Sequence, residues 1–295
     1  MKSLRLVGAA TLIALSLLMI SACQQESSGE SQTGTASPAS PKGMNDTTPE
    51  LVSPGNPPVT STYQWHAQET PAGETTVVRS GDGRITNESF VHWNNREYRV
   101  NSELQLDANG IIVAQTISGV SPFGATVDER FSYIDGQAQW QTRGESGNML
   151  TDEPAFYLAT EWGAVASTEA LVRAASKNLN GEIAMLPAGT ARVEKLLTTQ
   201  VVSDEGTVDL SLFAISGINF TPQFAWFNDD LELVALYFGR LGMLPEGWGF
   251  SVLQELGRLQ AGENARISAG YATALSHPVS QPVLFTNVDV VDVAS

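Results

Sequence analysis

The stretch YRVNSELQL, Tyr98–Leu106, alternates mainly hydrophobic with polar residues over nine positions. Successive side chains of a β-strand point to opposite faces, so the alternation predicts a strand with one buried and one exposed face. The face expected to be buried carries Tyr98, Val100, Ser102, Leu104 and Leu106. Asn109-Gly110 then predicts a hairpin turn with both residues at positive φ, and Ile111–Ile117 is the expected return strand.

Short strands separated by turn residues are predicted on both sides of this hairpin. Upstream strands are expected at Tyr63–Ala67, Thr75–Arg79 and Arg84–Thr86, and β-favouring residues continue over Ser89–Trp93. Turns are expected at Ser80–Gly83 and Asn94-Asn95. Downstream strands are expected at Val127–Tyr133 and Ala138–Thr142, joined by Asp135-Gly136. Consecutive short strands with such turns are typical of an antiparallel meander that curves into an open sheet or half-barrel.

The second half of the chain predicts a mixture of helices and strands. A helix is expected to be capped by Ser167 or Thr168, to carry Leu171, Val172 and Ala175, and to stop at Asn180-Gly181. Met185–Gly189 is interpreted as a loop. Further strands are expected at Ala191–Val202, Thr207–Ile215, Phe224–Phe227 and Leu231–Phe238. The fold class predicted for the domain at residues 63–275 is therefore α+β, an antiparallel β-meander with a few helices.

A final helix is predicted after Pro245-Glu246-Gly247. Its hydrophobic residues, which recur at helical spacing, are Phe250, Leu253, Leu256 and Leu259. The helix is expected to continue towards Tyr271.

The N-terminus has the three parts of an export signal: a basic start with Lys2 and Arg5, the apolar run Leu6–Met19, and small residues before Cys23. Ser21-Ala22-Cys23 resembles the lipobox of bacterial lipoproteins, which implies cleavage of residues 1–22 and lipid attachment at Cys23. An uncut transmembrane anchor is the alternative, but the run is shorter than the about 20 residues that a spanning helix needs.

Lipidated Cys23 is expected to hold the protein on the bacterial envelope. By the usual rule for such lipoproteins, Gln24 after the cysteine implies the outer membrane, facing the periplasm. Several acyl chains anchor a protein firmly, whereas one binds only marginally. Cys23 is the only cysteine in the sequence, so its use as the lipid site excludes a disulfide in the domain.

Residues 23–62 are rich in Gln, Ser, Gly, Thr and Pro, which predicts a disordered tether. The formal net charge of the chain is −16, and removing Lys2 and Arg5 with the leader makes it −18. Such an acidic surface repels nucleic acid and anionic headgroups, so neither is expected as a partner.

Residue types that carry chemistry are few. The three histidines, His66, His92 and His277, show no HxH or HExxH spacing, so neither a metal site nor a cofactor is predicted. Adjacent carboxylates occur at Asp128-Glu129 and Asp229-Asp230. Neighbouring residues of a strand face opposite ways, so neither pair is expected to form a catalytic couple. A nucleophile elbow, G-x-S-x-G, is also absent, and no catalytic residue is predicted.

The C-terminal segment PVLFTNVDVVD, Pro282–Asp292, resembles the opening strand of the amidohydrolase superfamily. Upstream segments resemble the long N-terminal extension of some bacterial lipoprotein amidohydrolases. The matching segments are Gly83–Ile85, Val127–Phe131, Ala138–Trp140, Phe156–Leu158, Leu186–Arg192 and Ile215–Gly217. In that family the HxH metal ligands follow the strand, whereas this sequence ends at Ser295, and Val293 stands where a glycine is common.

Two hypotheses about function follow. In the first, the chain is the anchored, non-catalytic accessory part of a metal-dependent amidohydrolase, truncated or split from its barrel and inactive alone. Residues 276–295 are then a linker and the first strand of the missing β-sandwich. In the second, it is a free-standing lipoprotein that binds an apolar ligand in its half-barrel. Both faces of Pro282–Ser295 are partly apolar, as in a strand covered on both sides, so the segment is expected either to dock on this domain or to await a missing one. The amidohydrolase resemblance favours the missing partner, and the first hypothesis therefore predicts that the segment is poorly packed on this domain.

Overall fold

The computed structural model describes residues 57–151, 155–159, 165–203 and 206–289. Fifteen strands and two helices occur in these ranges. The strands are β1 Val59–Ala67, β2 Thr70–Arg79, β3 Arg84–Trp93, β4 Arg96–Leu106, β5 Ile112–Val120, β6 Thr126–Ile134, β7 Gln137–Gln141, β8 Ser146–Leu150, β9 Phe156–Tyr157, β10 Glu182–Leu186, β11 Thr190–Ser203, β12 Gly206–Ser216, β13 Gln223–Phe227, β14 Leu233–Tyr237 and β15 Leu241–Pro245. The helices are α1 Val165–Ala175 and α2 Phe250–Leu275.

All described strands form one sheet in the order β8-β7-β6-β5-β4-β3-β2-β1-β15-β14-β13-β12-β11-β10-β9. Two meanders therefore run outward from the central pair β1 and β15, which joins the N-terminal and C-terminal arms. Strand pairs are antiparallel except β9 with β10, which are parallel. The predicted fold class, an open antiparallel meander with a few helices, is confirmed.

The alternation in Tyr98–Leu106 produces the predicted faces. Tyr98, Val100, Ser102 and Leu104 are buried, Leu106 is half-buried, and the intervening residues are exposed or half-buried. The hairpin after this strand also forms, but its expected geometry is wrong because only Gly110 of the two turn residues has positive φ. Asp107 stabilises this turn instead, since its carboxylate accepts hydrogen bonds from the backbone N–H groups of Asn109 and Ile111.

Three details of the second half differ from the sequence predictions. Helix α1 already includes Val165, so Ser167 lies inside the helix, where its hydroxyl is buried and not a cap. The helix also ends at Ala175, five residues before the predicted stop. Met185 and Leu186 belong to β10 and not to a loop, because they pair with Phe156 and Tyr157 of β9.

The sheet curves around α1. Helix α1 contacts both β3 and β10, which lie eight places apart in the sheet. A flat sheet would separate them by about 38 Å at the usual strand spacing, whereas a helix with its side chains is only about 10–12 Å across. Nine of its eleven residues are buried, among them Leu171 and Val172. We call the face of the sheet that contacts α1 the inner face.

The opposite, outer face of the C-terminal arm is covered by α2. Leu253 and Leu256 are buried there together with Trp226 of β13 and Leu244 of β15. Gly257 permits this close approach, because a Cβ at that position would lie 2.6 Å from the ring of Tyr237. The predicted final helix is thus confirmed, and it extends to Leu275.

Candidate functional site

A buried ion pair joins α1 to the inner face. Glu169 is only 3% exposed, and its carboxylate accepts hydrogen bonds from Arg79 of β2 at 2.6 and 2.9 Å. The same carboxylate accepts the backbone N–H of Leu233 at 3.0 Å and lies 3.3 Å from Arg173, one turn further along α1. This network connects the helix with both arms of the sheet.

Tyr63 of β1 extends the network. Its hydroxyl donates to the carbonyl of Leu233 at 2.7 Å, and the Arg79 guanidinium lies 3.5 Å from the same hydroxyl. Burial raises the pKa of Tyr63 above its usual value, and the neighbouring Arg79 partly opposes this. Tyr63 therefore acts as a neutral hydrogen-bonding group at neutral pH.

Two further hydrogen bonds join buried polar groups of the inner face. Gln115 donates to Ser167 of α1 at 2.6 Å, and the hydroxyl of Tyr157 donates to Glu129 at 2.6 Å. The Tyr157 ring stacks on Phe131 at a centroid distance of 4.4 Å, and burial raises the pKa of Tyr157. These contacts hold the helix and β9 against the sheet, and α1 occupies the space inside the curve.

A second feature lies on the outer face at the end of β1. A cavity of about 530 Å³ separates the first turns of α2 from two adjacent hairpins, β1–β2 and β14–β15. The hairpins are joined by a 2.9 Å hydrogen bond from the backbone N–H of Gln68 to the carbonyl of Arg240. The lining of the cavity combines polar and apolar side chains: His66, Gln68, Glu69, Thr70, Tyr237, Arg240, Phe250, Leu253 and Gln254.

His66 is the unusual residue of this cavity. Both imidazole nitrogens are buried, and within the described part of the chain neither has a hydrogen-bond partner. The ring packs against Phe250 of α2 at a centroid distance of 5.6 Å. Burial lowers the pKa of His66 below 6.5, so the imidazole is neutral at pH 7.

This pKa shift predicts a pH dependence of stability. Because the unfolded chain binds a proton at His66 more readily than the folded chain, the free energy of unfolding should fall as the pH drops below about 6.5. His66→Phe, which keeps the contact with Phe250, should become progressively more stable than the wild type between pH 7.5 and 5. Urea unfolding at several pH values measures this difference. His277→Phe, in an exposed segment, is the matched control, and a pH-independent difference for His66→Phe would contradict the expectation.

The structure does not bring the three histidines together as a metal site. His66 lies at the cavity, His92 is exposed at the end of β3, 3.3 Å from Glu97, and His277 is exposed beyond α2. Within the described ranges, no group of three His, Cys, Asp or Glu side chains is arranged to hold a metal ion.

The two carboxylate pairs lie in different settings, Asp128-Glu129 in strand β6 and Asp229-Asp230 in a turn. Asp128 is exposed beside Arg130, whereas Glu129 is buried on the other face of β6. Asp230 belongs to a turn that is held by Asn228, whose side-chain oxygen accepts the backbone N–H groups of Asp230 and Glu232. Neither pair forms a couple of facing carboxylates.

The C-terminal segment leaves the domain after α2. Its described part, residues 282–289, forms neither strand nor helix. The hydrophobic side chains there are exposed: Val283 60%, Leu284 84%, Phe285 75% and Val288 54%. We call Pro282–Asp289 the hydrophobic tail. Residues 290–295, which complete the amidohydrolase-like motif, lie outside the described residues.

The leader, Cys23 and most of the tether also lie outside the described residues. The first strand begins at Val59, inside the range 23–62 that the sequence predicts to be disordered. Within the ranges that the structure describes, no helix has both the length and the hydrophobicity needed to cross a membrane.

Fold and contacts define an open antiparallel β-sheet protein built around one buried helix. No family model matches the chain, and no curated protein matches it. One similar solved structure is described as a beta-barrel-like protein of domain of unknown function DUF1849 from Brucella abortus. It shares 12% sequence identity with a TM-score of 0.40, and the match covers 65% of this chain and 96% of that one.

Proposed function

We propose that this protein is a membrane-anchored, non-catalytic accessory domain of an amidohydrolase, joined to the catalytic part through its hydrophobic tail. The observation that carries the proposal is the exposure of Leu284 and Phe285 in a segment that resembles the opening strand of that superfamily. An exposed hydrophobic segment is unfavourable in water and is prone to aggregation unless a partner covers it.

The rest of the domain supports this assignment. Helix α2 ends at Leu275, and the residues from Ser276 to Asp289 are exposed, so the segment is free to pair elsewhere. The competing hypothesis places an apolar ligand inside the half-barrel. That space holds α1, whose Leu171 and Val172 are fully buried against the sheet. The geometry therefore favours an accessory role over a ligand carrier.

Photo-cross-linking in the native cells tests this function. p-Benzoylphenylalanine in place of Phe285 should cross-link to a polypeptide segment that carries the HxH ligands of an amidohydrolase. The same amino acid in place of Phe220, which is 95% exposed in a loop, is the matched control and should not reach that segment. Cross-links from position 285 only to residues 59–275, or to the same proteins that position 220 reaches, would exclude the proposal.

Anchoring through Cys23 on the periplasmic face of the outer membrane is the second part of the proposal. Cys23→Ser should abolish labelling by a palmitate analogue and leave the precursor uncut, because the lipid is carried by the thiol. The double variant Cys23→Ser, Ser28→Cys restores a thiol outside the motif and should also remain unlabelled. Labelling of Cys23→Ser at the wild-type level would show that the lipid is attached elsewhere.

A further inference from the structure

We propose that the turn ends of the hairpins β3–β4 and β5–β6 dock on the headgroup region of a phospholipid membrane. The surface that docks, which we call the aromatic-basic patch, consists of Trp93, Arg96, Arg99, Val120 and Phe123. It includes no residue of the hydrophobic tail, so the inference goes beyond the accessory function and does not depend on the amidohydrolase assignment.

The patch is one continuous surface, because cross-strand pairs join its members. Trp93 of β3 pairs with Arg96 of β4, and Arg99 of β4 pairs with Val120 of β5. The guanidinium of Arg96 lies over the ring of Phe123, 4.8 Å from its centroid. All five residues are exposed, Trp93 to 42%, Val120 to 44% and Phe123 to 65%. Apolar side chains therefore project into solvent beside two cations.

Both arginines of the patch are available to an anion. Most arginines of the domain are close to a carboxylate, whereas Arg96 and Arg99 form no ion pair within the described ranges. Glu97, which lies between them in the sequence, is 3.3 Å from His92 instead. Arg99 stacks on the ring of Phe90 at 4.1 Å. A guanidinium that stacks on an aromatic face keeps the N–H groups at its edge free to donate to phosphate oxygens.

The charged turns of the sheet are divided between its two ends. Successive turns of an antiparallel meander alternate between the ends, so the turns β1–β2 and β7–β8 lie at the same end as the patch. The β14–β15 turn also lies there, because Ala67 at the end of β1 pairs with Leu241 at the start of β15. Arg143 and Arg240, which form no ion pair with any described residue either, belong to the turns β7–β8 and β14–β15.

The turns at the opposite end are acidic. The turns β2–β3, β4–β5, β6–β7 and β13–β14 contain neither Lys nor Arg, and their aspartates are Asp82, Asp107, Asp135, Asp229 and Asp230. These negative charges are directed away from the aromatic-basic patch. The repulsion from headgroups that the net charge of −16 predicts is therefore weaker at the end that carries the patch.

A phospholipid surface presents the two chemistries that the patch combines. Its phosphate groups are anions that guanidinium groups bind through charge-assisted hydrogen bonds, and the hydrocarbon just below them accepts aromatic and aliphatic side chains. Tryptophan favours this boundary because its ring is apolar and its indole N–H is polar. Trp93 and Val120 end their strands and Phe123 lies in a turn, so all three stand where a hairpin meets a flat, fluid surface.

Photo-cross-linking in vesicles tests the docking. p-Benzoylphenylalanine in place of Phe123 in the full chain, reconstituted from detergent into vesicles of phosphatidylcholine and phosphatidylglycerol, should cross-link to lipid. The same amino acid in place of Ile134 is the matched control and should not, because Ile134 is 66% exposed at the opposite end of the sheet. Val59, where the N-terminal segment enters the sheet, also lies at that opposite end, so a lipid anchor alone would not favour position 123.

Tryptophan fluorescence gives an independent readout. Phosphatidylcholine brominated on its acyl chains should quench the fluorescence of the wild type, and Trp93→Phe should abolish this quenching. The double variant Arg96→Gln, Arg99→Gln should lower the ratio of docked to undocked protein roughly 25-fold, at about fivefold for each arginine near an anionic surface. The control variant Arg258→Gln, Arg266→Gln, which removes two exposed arginines of α2, should change this ratio little.

All the substituted side chains are exposed, so each variant should fold, and circular dichroism verifies this. Equal lipid cross-linking from positions 123 and 134, quenching that persists in Trp93→Phe, or a docked fraction that is unaffected by the loss of both arginines would each overturn the proposal. Cross-links from position 123 to protein alone in the native cells would also overturn it and would assign the patch to a protein partner.

Discussion

Glu169→Gln is expected to lower the free energy of unfolding by about 3–5 kcal/mol, because it leaves the largely buried Arg79 without its counter-charge. The side chain of Glu169 is 3% exposed and that of Arg79 is 15% exposed, so water cannot replace the lost carboxylate. The substitution also weakens the acceptor for the Leu233 N–H and for Arg173. Urea unfolding followed by circular dichroism measures the change.

Two variants make this measurement specific. Glu103→Gln removes the carboxylate of an exposed pair with Arg84 and should change stability little, because exposed ion pairs are screened by solvent. The double variant Arg79→Met, Glu169→Leu removes both buried charges and should recover much of the loss. Equal effects of Glu169→Gln and Glu103→Gln would show that the buried pair does not hold α1 in place.

Leu171→Ala is expected to destabilise the domain by about 2–5 kcal/mol, because it leaves a cavity at the centre of the curved sheet. Leu171 is fully buried on α1, and the residues around it belong to the main hydrophobic cluster. The same substitution at Leu179, which is fully exposed just beyond the helix, is the matched control and should change stability little. A change for Leu171→Ala as small as that for Leu179→Ala would mean that α1 is not part of the folding core.

Much of the sheet could be predicted from the sequence because a half-buried strand has a period of two. The alternation at Tyr98–Leu106 and the turn residues Asn94-Asn95 and Asp135-Gly136, all four of which have positive φ, specify local geometry directly. The turn at Asn109-Gly110 was less predictable. A nearby side chain, Asp107, offers its own hydrogen bonds there and changes the turn type.

Long-range contacts could not be predicted in the same way. The pairing of β1 with β15 joins residues about 180 positions apart in the chain, and no local pattern encodes it. The burial of Ser167 and Glu169 depends on Gln115 and Arg79, which come from distant strands. The sequence nevertheless indicates that Glu169 needs a partner, because this carboxylate stands among the apolar residues of a short helix and a buried charge is unfavourable when it is unpaired.

The cavity at His66 shows the same limit. His66 follows the buried Trp65 on strand β1, so the alternation of a strand indicates that the imidazole lies on the opposite face from Trp65. The sequence does not indicate that α2 and the β14–β15 hairpin meet over that face and leave both nitrogens unpartnered among the described residues. Only the folded arrangement places Glu69 and Arg240 at the rim of one cavity.

Hydrogen exchange of the purified protein, free of other proteins, tests most directly the claim that the hydrophobic tail does not belong to this domain. The amides of Val283–Val288 should exchange at nearly unprotected rates, because these residues are exposed and form no strand in the structure. The amides of Leu104–Ile117, in β4 and β5, should remain strongly protected. Protection of the tail as strong as that of β4 and β5 would contradict the account, since the segment would then pair within this domain and not with an amidohydrolase catalytic domain.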